Sequence, residues 1–148
     1  MKHISLIFTT AIFFSFLSSS CTQEIPAFTI PSAPVNFKID LMTDKIDYFD
    51  YAVFESPRKA GEYVGYAGLL IFRNQEGRIF AYDLCCPKER SQTVKVIPNS
   101  RGEAVCPVCG SVYNIWTGFG NVVSGPSTLP LQKYNVSKYS DSAYTIRN

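Results

Sequence analysis

Two short cysteine clusters carry most of the chemistry open to this sequence. The first reads Leu84-Cys85-Cys86-Pro87-Lys88-Glu89, and the second Ala104-Val105-Cys106-Pro107-Val108-Cys109-Gly110-Ser111-Val112-Tyr113. Together they hold four of the five cysteines, and in each a proline follows a cysteine. Two Cys-bearing loops separated by a β-ribbon can bring their sulfurs to one point, an arrangement that holds zinc or an iron–sulfur cluster. The Cys106-x-x-Cys109 spacing followed by Gly110 is the stronger half of the pattern. Cys85 and Cys86 are neighbours, so in extended backbone they point to opposite sides and only one readily faces a shared site.

What the chain lacks narrows the chemistry further. Its single histidine, His3, lies in the N-terminal leader. The rest of the chain therefore has no imidazole for Ser-His-Asp or Cys-His catalysis, nor for metal ligation. No Gly-rich phosphate loop is present. Setting aside Lys2, thirteen Lys and Arg stand against twelve Asp and Glu. So even a balance gives no electrostatic reason to expect nucleic acid or an acidic partner.

The N-terminus bears on compartment. Lys2 precedes an apolar run from Ile4 to Leu17, and Ser18-Ser19-Ser20 supplies small residues before Cys21. Residues 1–20 read as a secretory signal. Cys21 at the cleavage point resembles a bacterial lipobox, with Leu17 one place farther from the cysteine than usual. An ordinary signal with an incidental cysteine is the alternative, and the run is short for a spanning helix. Lipid on Cys21 would hang the mature protein from a membrane rather than thread it through one. Residues 21–34, with Pro26, Pro31 and Pro34, read as an extended tether. Residues 35–148 then form one domain, exported to the cell envelope. Disulfides form in such a compartment, so the four remaining cysteines can also be read as one or two bridges.

The elements that must position the cysteines read as strands. Abundant Tyr, Phe and Val with few helix-favouring runs point to an all-β domain. Val35 to Leu41 alternates apolar and polar, the pattern of a half-buried strand. Tyr48 to Glu55 reads as a second strand. Tyr63 to Arg73 is an apolar run with Gly65 and Gly68 inside it, readable as one buried strand or as two short ones with a bend. Asn74-Gln75-Glu76-Gly77 reads as a hairpin turn, and Arg78 to Asp83 returns from it into the first cysteine cluster. Strands are expected at Thr93–Ile97, Glu103–Val105, Val112–Trp116, Leu129–Val136 and Ala143–Ile146. Turns are expected at Pro98–Gly102, Thr117–Gly120 and Ser140–Ser142, and a loop at Gly125–Ser127.

From Gly68 to Asn148 the order of motifs resembles a Rieske-type iron–sulfur domain. The likeness is strongest at Cys106–Tyr113 and in Thr117-Gly118, Gly125-Pro126, Leu129-Pro130-Leu131 and Tyr134-Asn135-Val136. Rieske domains bind a [2Fe–2S] cluster through C-x-H and C-x-x-H loops. Here those positions read Cys86-Pro87-Lys88 and, after seventeen intervening residues, Cys106-Pro107-Val108-Cys109. Both histidine positions are changed, to Lys88 and Cys109.

The resemblance implies a Rieske-like antiparallel β-sandwich with the cysteine loops as a small subdomain. It implies that Cys86 and Cys106 bind one iron, and Cys109 the other with Cys85 or a neutral Lys88 amine. Ser111 and Tyr113 match the serine and tyrosine that hydrogen-bond cluster sulfurs, and Gly125-Pro126 the loop that covers the cluster. The implied function is membrane-anchored electron transfer through a [2Fe–2S] centre, not catalysis. Paired imidazoles raise a Rieske potential above all-thiolate values, so their loss argues against quinol oxidation. An oxygenase would need a 2-His-1-carboxylate iron. Three other readings stand beside this one: a zinc site on the same cysteines, a cluster-free envelope module with a Cys86–Cys106 disulfide, and thiol exchange at Cys106 and Cys109. A protein redox partner is implied only by the electron-transfer reading.

Overall fold

A computed structural model describes residues 29–148. The signal, Cys21 and the first part of the tether, through residue 28, lie outside it. The described residues contain no helix and form strands β1 (Val35–Asp40), β2 (Asp50–Phe54), β3 (Tyr63–Val64), β4 (Leu69–Arg73), β5 (Ile79–Asp83), β6 (Ile97–Pro98), β7 (Glu103–Val105), β8 (Val112–Asn114), β9 (Val122–Ser124), β10 (Lys133–Lys138) and β11 (Ala143–Arg147). All pairings are antiparallel.

Seven strands form one sheet in the order β2-β4-β5-β10-β11-β1-β3, and four form a second in the order β6-β7-β8-β9. Although β1 and β2 stand far apart in the large sheet, the Phe37 and Phe54 rings lie 4.8 Å apart. The large sheet therefore curls over itself into an almost closed barrel. Its interior takes Val35, Phe37 and Ile39 from β1, Leu69 and Ile71 from β4, and Ile146 from β11. On β1 the intervening Asn36 and Lys38 are exposed, so the alternation seen in the sequence is the inside–outside alternation of a half-buried strand.

A second core fills the space between the outer face of β4–β5 and the small sheet. Leu70, Phe72 and Tyr82 meet Ala104, Tyr113, Ile115 and Leu131 there, together with Cys85, Cys86 and Cys106. Strand β4 feeds both cores. That is why Leu69-Leu70-Ile71-Phe72 is apolar without a break: a strand covered on both faces has no polar side to show. Each such side chain contributes about 1.5–3 kcal/mol by leaving water. Ile30 joins the second core, and the Thr29 amide donates to Gln132 Oε1 at 2.9 Å.

Of the two readings of the Tyr63–Arg73 run, the structure shows two strands, β3 and β4, parted where Gly65 (φ 84) and Gly68 (φ 122) turn the chain. Most of the other expected strands are present, with three differences. The strand expected over Thr93–Ile97 is reduced to a single bridge, Lys95 to Cys85, followed by the two-residue β6. The strand expected from Leu129 begins only at Lys133. Before it, the backbone bonds irregularly: Leu131 N donates to Gly120 O, and Gln132 O accepts from Asp83 N. Finally, Val122–Ser124 forms β9, for which no strand was expected.

Candidate metal centre

Three loops build the site, and each is held by specific bonds. The first leaves β5 at Asp83, whose carboxylate is fully buried. It accepts from Cys85 N at 2.8 Å, Tyr66 N at 2.7 Å, Ala67 N at 3.1 Å and the Tyr134 hydroxyl at 2.7 Å. Leu84 N donates to Gly68 O, and Cys86 O accepts from Arg90 N at 2.9 Å, closing a tight turn around Pro87 and Lys88. The second loop caps the β7–β8 hairpin. Cys106 N donates to Ser111 O at 2.9 Å and Gly110 N to Cys106 O at 3.0 Å, with Gly110 at φ 71 where a side chain would be strained. The third loop is Gly125-Pro126-Ser127, whose Ser127 N donates to Ser111 Oγ at 2.9 Å. A Cβ on Gly125 would sit 2.5 Å from Ser111 Cα, so only glycine lets this loop lie so close to the second.

These constraints bring three sulfurs together. The Sγ atoms of Cys86, Cys106 and Cys109 all lie within 4.8 Å of one another, with Cys86 and Cys109 at 3.7 Å. Cys86 and Cys106 are buried, while Cys109 is half-buried beside the exposed Val108. The Tyr113 hydroxyl lies 3.3 Å from Cys86 Sγ, and the Cys109 thiol donates to Ser111 Oγ at 3.2 Å. Of the residues singled out from the sequence, Cys86, Cys106, Cys109, Ser111 and Tyr113 therefore meet at one place. Lys88 is exposed, beside a cavity of about 270 Å³ that Pro87, Pro126 and Ser127 also line. Cys85 points elsewhere: its Sγ lies 3.5 Å from Cys86 O and 3.5 Å from Ser91 O.

The thiols differ electrostatically. Burial pushes Cys85 up to about 12, with the Asp83 carboxylate adding to the effect. Burial likewise pushes Cys106 up to about 11. At Cys109 burial also opposes ionisation, but hydrogen bonds to Ser111 and to the Cys106 and Cys86 thiols outweigh it and hold this thiol below the usual range. Burial raises the Tyr113 phenol, so it keeps its proton and can donate toward Cys86 Sγ.

The sulfur spacing tests what the site can hold. Metal–sulfur bonds of about 2.3 Å place two thiolates of one tetrahedral ion about 3.8 Å apart. Cys86 and Cys109 match that edge, and Cys106 is near enough to take a third corner. The residues thus fit a single thiolate-bound ion. A two-iron cluster fits them poorly. It needs four terminal ligands in two pairs, and ligands on different irons stand well beyond the edge of one tetrahedron.

Sequence reasoning missed two contributors. Asp83 ties the first loop to Tyr66, Ala67 and Tyr134, and its only signal was a carboxylate at the end of an otherwise apolar strand. Ser127 holds Ser111 through its backbone amide, which no side-chain pattern could reveal.

No protein-family model matches the chain, and no curated protein matches it. Solved structures do. One is a chain of the complex of reduced oxygenase and oxidized ferredoxin in carbazole 1,9a-dioxygenase, at 15% identity and a TM-score of 0.50, covering 76% of this chain and 93% of that one. The fold is Rieske-like. A putative NADH-dependent nitrite reductase small subunit from Mycobacterium tuberculosis is also similar, at 9% identity and a TM-score of 0.48, covering 78% of this chain and 96% of that one. Within its Rieske-like fold, this chain carries three converging cysteines able to bind a metal.

Proposed function

We propose that the protein transfers electrons at a bacterial envelope, held there by lipid on Cys21, with iron bound by Cys86, Cys106 and Cys109 as its redox centre. The observation that carries this reading is the sulfur triangle within 4.8 Å, set among loops pinned by Asp83, Ser111 and Gly125. Bound iron would supply a one-electron couple. The chain's own residues give that couple a rigid setting. Tyr113 would donate toward Cys86, the Ser111 hydroxyl, 3.2 Å from Cys109 Sγ, would donate toward Cys109 once that residue is a thiolate, and the second core keeps water from Cys106. Cys109 is the half-buried member of the triad, and its neighbour Val108 is exposed, so an electron has a short route to the surface. The similar solved complex is one between a reduced oxygenase and an oxidized ferredoxin, and an electron-transfer role for this chain is in keeping with that setting. The [2Fe–2S] form implied by the Rieske resemblance would put Cys109 on a different iron from Cys86, and the 3.7 Å spacing is the reason to prefer one ion.

The test is to purify the mature protein without air, then measure iron, sulfide, zinc and free thiols and record a visible spectrum. Iron with thiolate charge-transfer bands supports the reading, and its absence overturns it. Fatty-acid labelling that fails on the wild type but would be needed at Cys21 overturns the anchor.

One observation favours a second reading. The disulfide expected from the sequence pairs Cys86 with Cys106, but it is Cys86 and Cys109 whose sulfurs lie 3.7 Å apart, near enough that a small side-chain movement would close them into a disulfide with an S–S bond of about 2.05 Å. An exported protein meets oxidants that drive this. Colourless protein lacking two free thiols would identify a cluster-free envelope module.

A further inference from the structure

We infer that the centre is mononuclear and open: one ion on three thiolates, with the fourth corner left for a small neutral donor from outside the chain. The inference rests on the reading of Cys86, Cys106 and Cys109 as the metal site and says what kind of site it is. Three observations support it. The 3.7 Å Cys86–Cys109 separation equals the edge of a single tetrahedral ion in length, and all three sulfurs fit inside 4.8 Å. Among the described residues, no His, Asp or Glu joins that group. The one neighbouring thiol, Cys85, is turned toward the carbonyls of Cys86 and Ser91. A closed structural site takes four ligands from the chain, whereas three chain ligands are the count of a site that keeps an exchangeable position.

Charge indicates what would fill that position. A divalent ion with three thiolates carries a net charge of −1, so a fourth anion is repelled while water or an imidazole nitrogen is not. Tyr113, aimed at Cys86, withdraws some thiolate charge but adds no ligand of its own at 3.3 Å from sulfur. The half-buried Cys109, next to the exposed Val108, marks the side from which a donor reaches the ion.

Cobalt(II) reports both halves of the inference. It is titrated anaerobically into the reduced, metal-free full-length mature chain, while thiolate-to-cobalt absorption and the tetrahedral d–d bands are recorded. Absorption should saturate at one equivalent, and added imidazole should then shift the d–d bands. Saturation without a shift on imidazole means the chain closes the fourth corner itself, which overturns openness. A changed spectrum in Cys85→Ser names that residue as the ligand and overturns it equally. Reconstitution with ferrous iron and sulfide should leave one iron and no sulfide per chain. Two irons with two sulfides overturns the mononuclear site while sparing electron transfer. If no cobalt binds although all three thiols titrate, the metal-site reading itself falls.

Discussion

Cys86 and Cys109 lie 23 residues apart in sequence, yet their sulfurs stand 3.7 Å from each other. Neither loop makes this contact alone. Asp83 positions the first, and the Cys106–Ser111 and Gly110–Cys106 backbone bonds fold the second. Removing either sulfur should therefore cost metal affinity directly. Cys86→Ala and Cys109→Ala are each expected to weaken cobalt binding more than about 100-fold, because changes one shell farther out already cost about 10–100-fold. Cys85→Ser should bind as the wild type does. Competitive titration against a chelator measures all three, and a Cys85→Ser loss matching the others would refute the assignment of ligands.

Tyr113→Phe removes one hydroxyl and leaves the ring in its buried place. Hydrogen bonds to charged acceptors contribute about 1.5–3 kcal/mol, and a donor to a thiolate stabilises the reduced, more electron-rich state most. With iron bound, the midpoint potential should fall in the variant, and its melting temperature should also drop by the several degrees that one lost buried bond costs. Film voltammetry alongside a melting curve separates the two effects. An unchanged potential means the 3.3 Å contact does not tune the centre.

Much of this arrangement was legible in the sequence wherever a pattern had a single physical cause. β1 was readable because one face is wet and one dry. β4 was readable as apolar, but sequence alone does not say that its two faces serve two different cores. β9 was invisible because it is three residues long, joined only to β8 through an irregular register, and two of its residues are exposed. The strand expected from Leu129 starts late because Pro130 has no N–H to give and Leu131 and Gln132 bond outside any ladder. In the site, the Cys-x-x-Cys spacing pointed to Cys106 and Cys109, the Cys85–Cys86 adjacency to one of that pair, and only the Rieske resemblance to Cys86 in particular. The spacing between those sulfurs depends on the bonds of Asp83 to the distant Tyr66 and Tyr134 and of Ser127 to Ser111, and no local pattern encodes them.

Gly125 offers a test of the third loop. It has φ 95, and a Cβ there would lie 2.5 Å from Ser111 Cα and 3.0 Å from Ser111 N. Both contacts are backbone, so neither can swing aside. Gly125→Ala should destabilise the fold by more than about 1 kcal/mol, the least expected when alanine is forced to positive φ. It should also lift the loop, break the Ser127–Ser111 bond and expose Cys109. Urea unfolding together with the alkylation rate of Cys109 checks this. Destabilisation with no change in alkylation would mean the loop does not guard the sulfur.

Asp83 gives the fold a pH dependence whose sign can be worked out. Burial raises its carboxyl above the ordinary value; the hydrogen bonds from Cys85, Tyr134, Tyr66 and Ala67 oppose this without cancelling it. The folded chain therefore holds this proton more tightly than the unfolded chain. The resulting stability is complete below the ordinary carboxyl pKa of about 3.9 and is lost as pH rises through the folded value. Asp83→Asn cannot titrate, so it removes this dependence while leaving the other carboxylates in place. The unfolding free energy of wild type minus that of Asp83→Asn, measured in urea on metal-free chains, should shrink from acid to neutral pH. A difference of one between folded and unfolded pKa would narrow it by about 1.4 kcal/mol. If the gap instead widened with pH, the four donors would have won over burial, and Asp83 would hold the first cysteine loop as a stabilised anion.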